Sequence, residues 1–185
     1  ETIYELLQLW TDKNTLTGGT ANRYKLPLYF EIIQNASQKI ANEPDIVKDR
    51  LRELKAYLHY MSLYFDWAGD QRTHDAKAGK AAALCLYLAT INKMQLVNSY
   101  YLVANITGKY STGSDFYRQY NYTNGTAYQN GNLPLITAAD IENDFRNDCA
   151  QYSNLISQYI FEQATAIPGR FEAAGLQALK NITVK

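Results

Sequence analysis

Between residues 44 and 67 the apolar side chains recur alternately four and three positions apart, at Val47, Leu51, Leu54, Leu58, Met61 and Phe65. That spacing lays them along one stripe of a 3.6-residue helix. A second stripe of Tyr57, Tyr60, Tyr64 and Trp67 runs beside it, and Arg52, Lys55, His59, Ser62 and Asp66 fall on a third, polar face. The pattern predicts a helix with a dry side, an aromatic shoulder and a solvated side.

The same reading applied along the chain predicts an all-α fold, a bundle of about five helices with one long loop rich in Tyr, Asn and Gly. A first helix is expected over residues 2–11, followed by a loop around Gly18-Gly19. Pro27 suits the first turn of a second helix, whose inward stripe is Tyr29, Ile33, Ala36 and Ile40. A long helix is predicted to start at Thr73 or Asp75 and to reach Ile106. It is apolar on nearly every side between Ala81 and Ala104, so it should be covered all round, either as the central helix or by pressing against a neighbouring domain. Thr137-Ala-Ala-Asp140 has the form of a capping box and opens a last long helix with Ile141, Phe145, Cys149, Tyr152, Ile156 and Ile160 inward. That helix should stop near Pro168-Gly169, leaving residues 168–185 as a linker or tail.

From residue 107 to 137 the helical period breaks at Gly108, Gly113, Gly125, Gly131 and Pro134. Loops of this length in compact domains tend to be functional. This one alternates Tyr110, Phe116, Tyr117, Tyr120, Tyr122 and Tyr128 with Asn, Gly, Ser and Thr. Exposed Tyr beside Asn is what stacking on a sugar ring and hydrogen bonding to its hydroxyls require. Tyr110, Tyr117, Tyr120, Tyr122 and Tyr128 are therefore the candidate ligand-binding residues, the other reading being that these rings simply pack against the helices. The shoulder of Tyr57, Tyr60, Tyr64 and Trp67 is expected to be covered, either by the bundle itself or as the candidate contact with another domain.

Composition narrows the classes. A chain of 185 residues, 46% hydrophobic, can bury a core and suits a single domain. Eighteen basic residues balance eighteen acidic ones, which makes nucleic acid an unexpected partner. The longest apolar run, 81–89, falls short of the roughly twenty residues needed to span a bilayer. The chain opens directly in a helical pattern, without an initiator Met or signal peptide, and reads as a piece of a longer or processed protein.

The candidate chemistry is sparse. His59 and His74 stand at no metal-ligand spacing from each other or from a cysteine, and His59 belongs to the polar face. Asp140, Glu142 and Asp144 imitate the start of a calcium loop, but Phe145 stands where its sharp-turn Gly belongs. Asp66, Asp70 and Asp75 gather between two helices, and paired carboxylates are what glycoside hydrolysis uses. Cys85 and Cys149 are read as buried thiols, with a bridge between neighbouring helices as the other option. Asn-x-Ser/Thr triplets occur at Asn35, Asn105, Asn121, Asn124 and Asn181. No residue is assigned as catalytic or metal-binding, and no cofactor is implied.

Three segments together resemble a known helical region. LRELKAYLHYMSLYFDW (51–67), MQLVNSYYLV (94–103) and LPLITAADIENDFRNDCAQY (133–152) are similar to the region following the barrel in large secreted bacterial proteins related to alpha-glucuronidases and hexosaminidases, known mostly from gut Bacteroidetes. The resemblance implies a periplasmic or cell-surface location and partners among the other domains of the same polypeptide, with carbohydrate nearby. It places any catalytic acids on the barrel, outside this chain. The expected function is a non-catalytic accessory or interdomain helical module of a secreted carbohydrate-active protein. A helical protein-interaction module is the alternative, and an independent enzyme the third option.

Overall fold

The computed structural model describes residues 26–120 and 135–165, with side chains described to Ser153. The predicted first helix, the Gly18-Gly19 loop, Tyr122, Tyr128, three of the Asn-x-Thr triplets and the predicted tail lie outside the described residues. Those described form six α-helices and no strand. The fold is all-α. Two compact units are present, one containing the described residues 26–43 and 144–165, the other Pro44–Asn143.

In the first unit, α1 (Leu26–Lys39) carries Pro27 in its first turn and buries Tyr29, Phe30, Ile33 and Ala36. Phe30 lies against Phe145 at 5.5 Å between ring centroids and stacks on Tyr152 at 5.1 Å. Phe145 and Tyr152 belong to the last helix, α6 (Ala138–Thr165). Its start, within the second unit, is the predicted capping box. The Asp140 N–H donates to Thr137 Oγ1, while Asp140 Oδ2 accepts from the Thr137 N–H and hydroxyl.

The second unit is built on α2 (Asp45–Gly69), which follows Pro44 and begins with an acidic residue at the positive end of its dipole. Leu51, Leu58 and Met61 are buried as the period requires. The buried arc is wider than predicted and turned toward the polar face, since Lys55 and Ser62 are also buried while Val47 is exposed. Lys55 manages this because its stem packs as hydrocarbon and its ammonium meets both Glu142 oxygens, at 2.8 and 2.7 Å.

The predicted helix over 75–106 is divided. A 3-10 turn, Asp75–Lys77, leads into α3 (Ala78–Thr90); a second 3-10 turn, Asn92–Met94, precedes α4 (Ser99–Thr107). Local hydrogen bonding outcompetes the helical period here. Thr90 Oγ1 bonds back to the Tyr87 carbonyl, and the Thr90 carbonyl accepts the Ile136 N–H. Gln95 then turns left-handed at φ 55°, and the Asn98 side chain accepts the Tyr101 N–H to start α4 afresh.

Within the predicted loop a further helix, α5 (Asp115–Tyr120), forms on Ser114, whose Oγ accepts the Tyr117 N–H. Helix α3 packs against α2, α4 and α5, with Ala81, Leu84, Cys85 and Leu88 fully buried, so it is central to this unit. The described residues of this chain do not cover the stretch on all sides, since Leu86, Tyr100 and Tyr101 stay exposed. No described helix is long and apolar enough to cross a membrane.

Candidate functional site

Positions 57, 60, 64 and 67 of α2 are spaced three, four and three apart, so their rings follow one another along one helix face. Ring centroids stand 5.7 Å apart for Tyr57 and Tyr60, 6.1 Å for Tyr60 and Tyr64, and 6.1 Å for Tyr64 and Trp67. Tyr60 and Trp67 are buried; Tyr57 and Tyr64 are half-buried. Burial raises the Tyr57 phenol above its ordinary value. It raises Tyr60 further, with the neighbouring Tyr57 and Tyr64 adding to the effect.

At the C-terminal end of this row the two groups of aromatic candidates meet. The Trp67 Nε1–H donates to the Tyr110 hydroxyl oxygen at 3.3 Å. Beyond Tyr110 come Phe116, at 4.2 Å between centroids, and then Tyr120, a further 5.1 Å on; His74 lies edge-on to Tyr110 at 5.7 Å. Lys77 closes the corner. Its ammonium stands 5.2 Å from the Trp67 ring centroid and donates to the Trp67 and Asp70 carbonyls, two of the groups that the end of α2 leaves without helical partners.

This geometry corrects the reading of 107–137 as a display of exposed rings. Tyr110 and Tyr120, each only 6% exposed, are core residues, and Tyr117 is half-buried. Burial is the leading cause of the raised phenol pKa at both Tyr110 and Tyr120. The glycines concealed the reason, because they suggested a loop where Ser114-Asp115 starts a helix that turns Phe116 and Tyr120 inward. Trp67, 5% exposed, is likewise occupied within its own unit and does not face outward for another domain. Phe116, His74 and Lys77 were not marked as members of this cluster by any periodicity. Only the four-residue spacing of Phe116 and Tyr120 hinted at a shared face.

Two of the three acids between the helices, Asp66 and Asp70, are tied up in ion pairs. Asp70 accepts from the Arg72 guanidinium, at 2.5 to 3.0 Å, and from the Arg72 backbone N–H. Lys80 bridges Asp66 at 2.7 Å and Asp70 at 3.2 Å. The hydrogen bonds from Arg72 hold the Asp70 carboxyl well below the usual carboxylate range. A general acid for glycoside cleavage needs the opposite shift, and Asp70 stands here as an ion-pair partner.

His59 is not on an open solvated face. It is half-buried, with its ring edge-on to Tyr87 at 4.6 Å. Neither Cys85 nor Cys149 forms a disulfide. Among the described residues no group of three His, Cys, Asp or Glu side chains converges as a metal site. Of the calcium-like acids, Asp140 caps a helix and Glu142 holds Lys55.

Large apolar groups also lie exposed at the surface: Leu86 on α3, and Tyr100 with Tyr101 at the start of α4, where Tyr101 is 63% exposed. Ile46 and Leu135 are exposed elsewhere on the same unit. The chain matches no family model, no curated protein and no solved structure.

Proposed function

We propose that this chain is a non-catalytic helical module that serves as an accessory or interdomain piece of a secreted, carbohydrate-active bacterial protein. The observation that supports it is the exposure of large apolar groups on two packed helices beside acids that are held in ion pairs. Asp66, Asp70 and Glu142 are engaged by Lys80, Arg72 and Lys55, whereas Leu86, Tyr100 and Tyr101 present large apolar groups to solvent on two helices that pack together. Exposed groups of that kind suit contact with a neighbouring domain. Localisation and the link to carbohydrate rest on the resemblance of the helical segments.

Direct contact with a glycan is the finer part of this reading. Among the described candidates it falls to Tyr117, the one loop tyrosine that is neither core nor outside the described residues. Calorimetric titration with oligosaccharides ending in glucuronic acid or an N-acetylhexosamine tests it. Heat of binding that disappears in Tyr117→Ala is the expected result. No heat with the parent protein removes the glycan contact and leaves the interdomain role.

A protein-interaction module is the second reading, favoured by Leu86, which has no polar handle for a sugar. Retention of a partner chain by the parent protein, lost in a Leu86→Ser/Tyr101→Ser variant, would select it.

A further inference from the structure

We propose that the aromatic row of α2 conducts one-electron oxidising equivalents, carrying a hole from the buried Trp67 through Tyr64 and Tyr60 to the half-buried Tyr57. Indole and phenol are among the most readily oxidised side chains. Here four of them follow one another with no gap wider than 6.1 Å between centroids. The row also has a direction. A positive hole on Trp67 is disfavoured by the Lys77 ammonium 5.2 Å from its ring, for the same reason that the electron-rich neutral ring attracts that cation. It is disfavoured as well by burial. Tyr57 stands at the other end, partly exposed, where an oxidised phenol can release its proton to water.

The steps balance. A one-electron oxidant such as the azide radical takes one electron from the Trp67 indole and leaves as azide. Tyr64 returns an electron to the indole and gives its phenolic proton to water, becoming a phenoxyl radical. An electron then passes from Tyr60 to Tyr64, and another from Tyr57 to Tyr60; each phenoxyl that is reduced takes a proton from water and each phenol that is oxidised releases one to water. The radical rests on Tyr57, one electron having gone to the oxidant and one proton to water. Trp67 keeps its Nε1–H throughout, held against the Tyr110 oxygen. A thiol that donates a hydrogen atom restores Tyr57. This property belongs to the row itself and does not rest on the function proposed above.

Pulse radiolysis with the azide radical tests the conduit, in a Trp10→Phe background that leaves Trp67 as the one indole of the two in the chain. The expected result is first-order conversion of indolyl to phenoxyl absorption at a rate independent of protein concentration. Tyr64→Phe, which keeps the ring and removes the oxidisable hydroxyl, should slow it several-fold with the circular dichroism unchanged. A nitroxide spin trap followed by peptide mapping should label Tyr57, and Tyr57→Phe should move the label to Tyr60 or Tyr64. Conversion as fast in Tyr64→Phe as in its parent, or a label on Tyr110 with none on Tyr57, overturns the proposal.

Discussion

The indole N–H of Trp67 donates to the hydroxyl oxygen of Tyr110 across 43 positions of chain, and both residues are buried. This bond joins the aromatic face of α2 to the segment that leads into α5. It converts two sets of rings that look independent in sequence into one cluster.

Removing either partner should therefore destabilise the second unit, and by different amounts. Tyr110→Phe keeps the ring and leaves a buried indole N–H without its acceptor, at a cost of about 1–3 kcal/mol. Trp67→Ala also removes the ring and opens a cavity, costing about 3–5 kcal/mol. Urea denaturation of the two variants checks both figures. Stabilities within about 0.5 kcal/mol of the parent would show that the cluster is not packed as described.

Asp70 should shape the acid limb of the stability profile. Its folded pKa is depressed by the Arg72 hydrogen bonds, with Lys80 assisting. A carboxylate of this kind contributes stability fully above its unfolded pKa, about 4, and loses the contribution as pH falls through the lower folded value. The lowered pKa of Asp140, caused by its bonds from Thr137, acts in the same direction. Denaturation midpoints should hold between neutral pH and about pH 4 and then decline. Asp70→Asn should be less stable than the parent at neutral pH and decline less steeply in acid; parallel curves for the two proteins would contradict this.

Cys85 should be chemically silent in the folded protein. It is fully buried in α3, and burial pushes its thiol up to about 12. Since the thiolate is the reacting species, a disulfide reagent at mildly alkaline pH should leave Cys85 unlabelled until denaturant is added. Cys149, which is half-buried, should label first. Prompt labelling of Cys85 without denaturant would show that α3 is not covered as described.

Gln95 is the one described non-glycine residue with positive φ, at 55°. Glycine adopts that conformation without a Cβ clash, so Gln95→Gly should raise stability by roughly 0.5–1 kcal/mol. Gln95→Val puts a branched side chain there and should lower stability by about 1–2 kcal/mol. Equal stability of the two variants would mean that the turn between α3 and α4 relaxes freely.

The helices of this chain were legible wherever a single stripe of apolar residues met a start signal. Pro27 in the first turn of α1, Leu51, Leu58 and Met61 on α2, and the Thr137 and Asp140 box of α6 are all local features that act within one or two turns. The division at 91–98 was also written locally, in Thr90, Gln95 and Asn98. The apolar run through it hid those signals, because hydrophobic period reports burial and carries no record of where the backbone leaves the helix. The glycines at 108 and 113 had the reverse effect and masked the start of α5 at Ser114.

The candidate site was much less legible, because it consists of pairings between distant segments. The spacing of Tyr57, Tyr60, Tyr64 and Trp67 set their rings in a row, a consequence of helix geometry alone. That Trp67 should bond Tyr110, that Lys77 should fold back over the indole, and that Glu142 should draw Lys55 into the interior depended on which elements packed together. The amino-acid order by itself determined an all-α chain and the face of α2 that carries the rings, since both follow from backbone hydrogen bonding over a few residues. Only the tertiary structure decided which rings face solvent and which are core, because burial depends on what another part of the chain brings against each side chain.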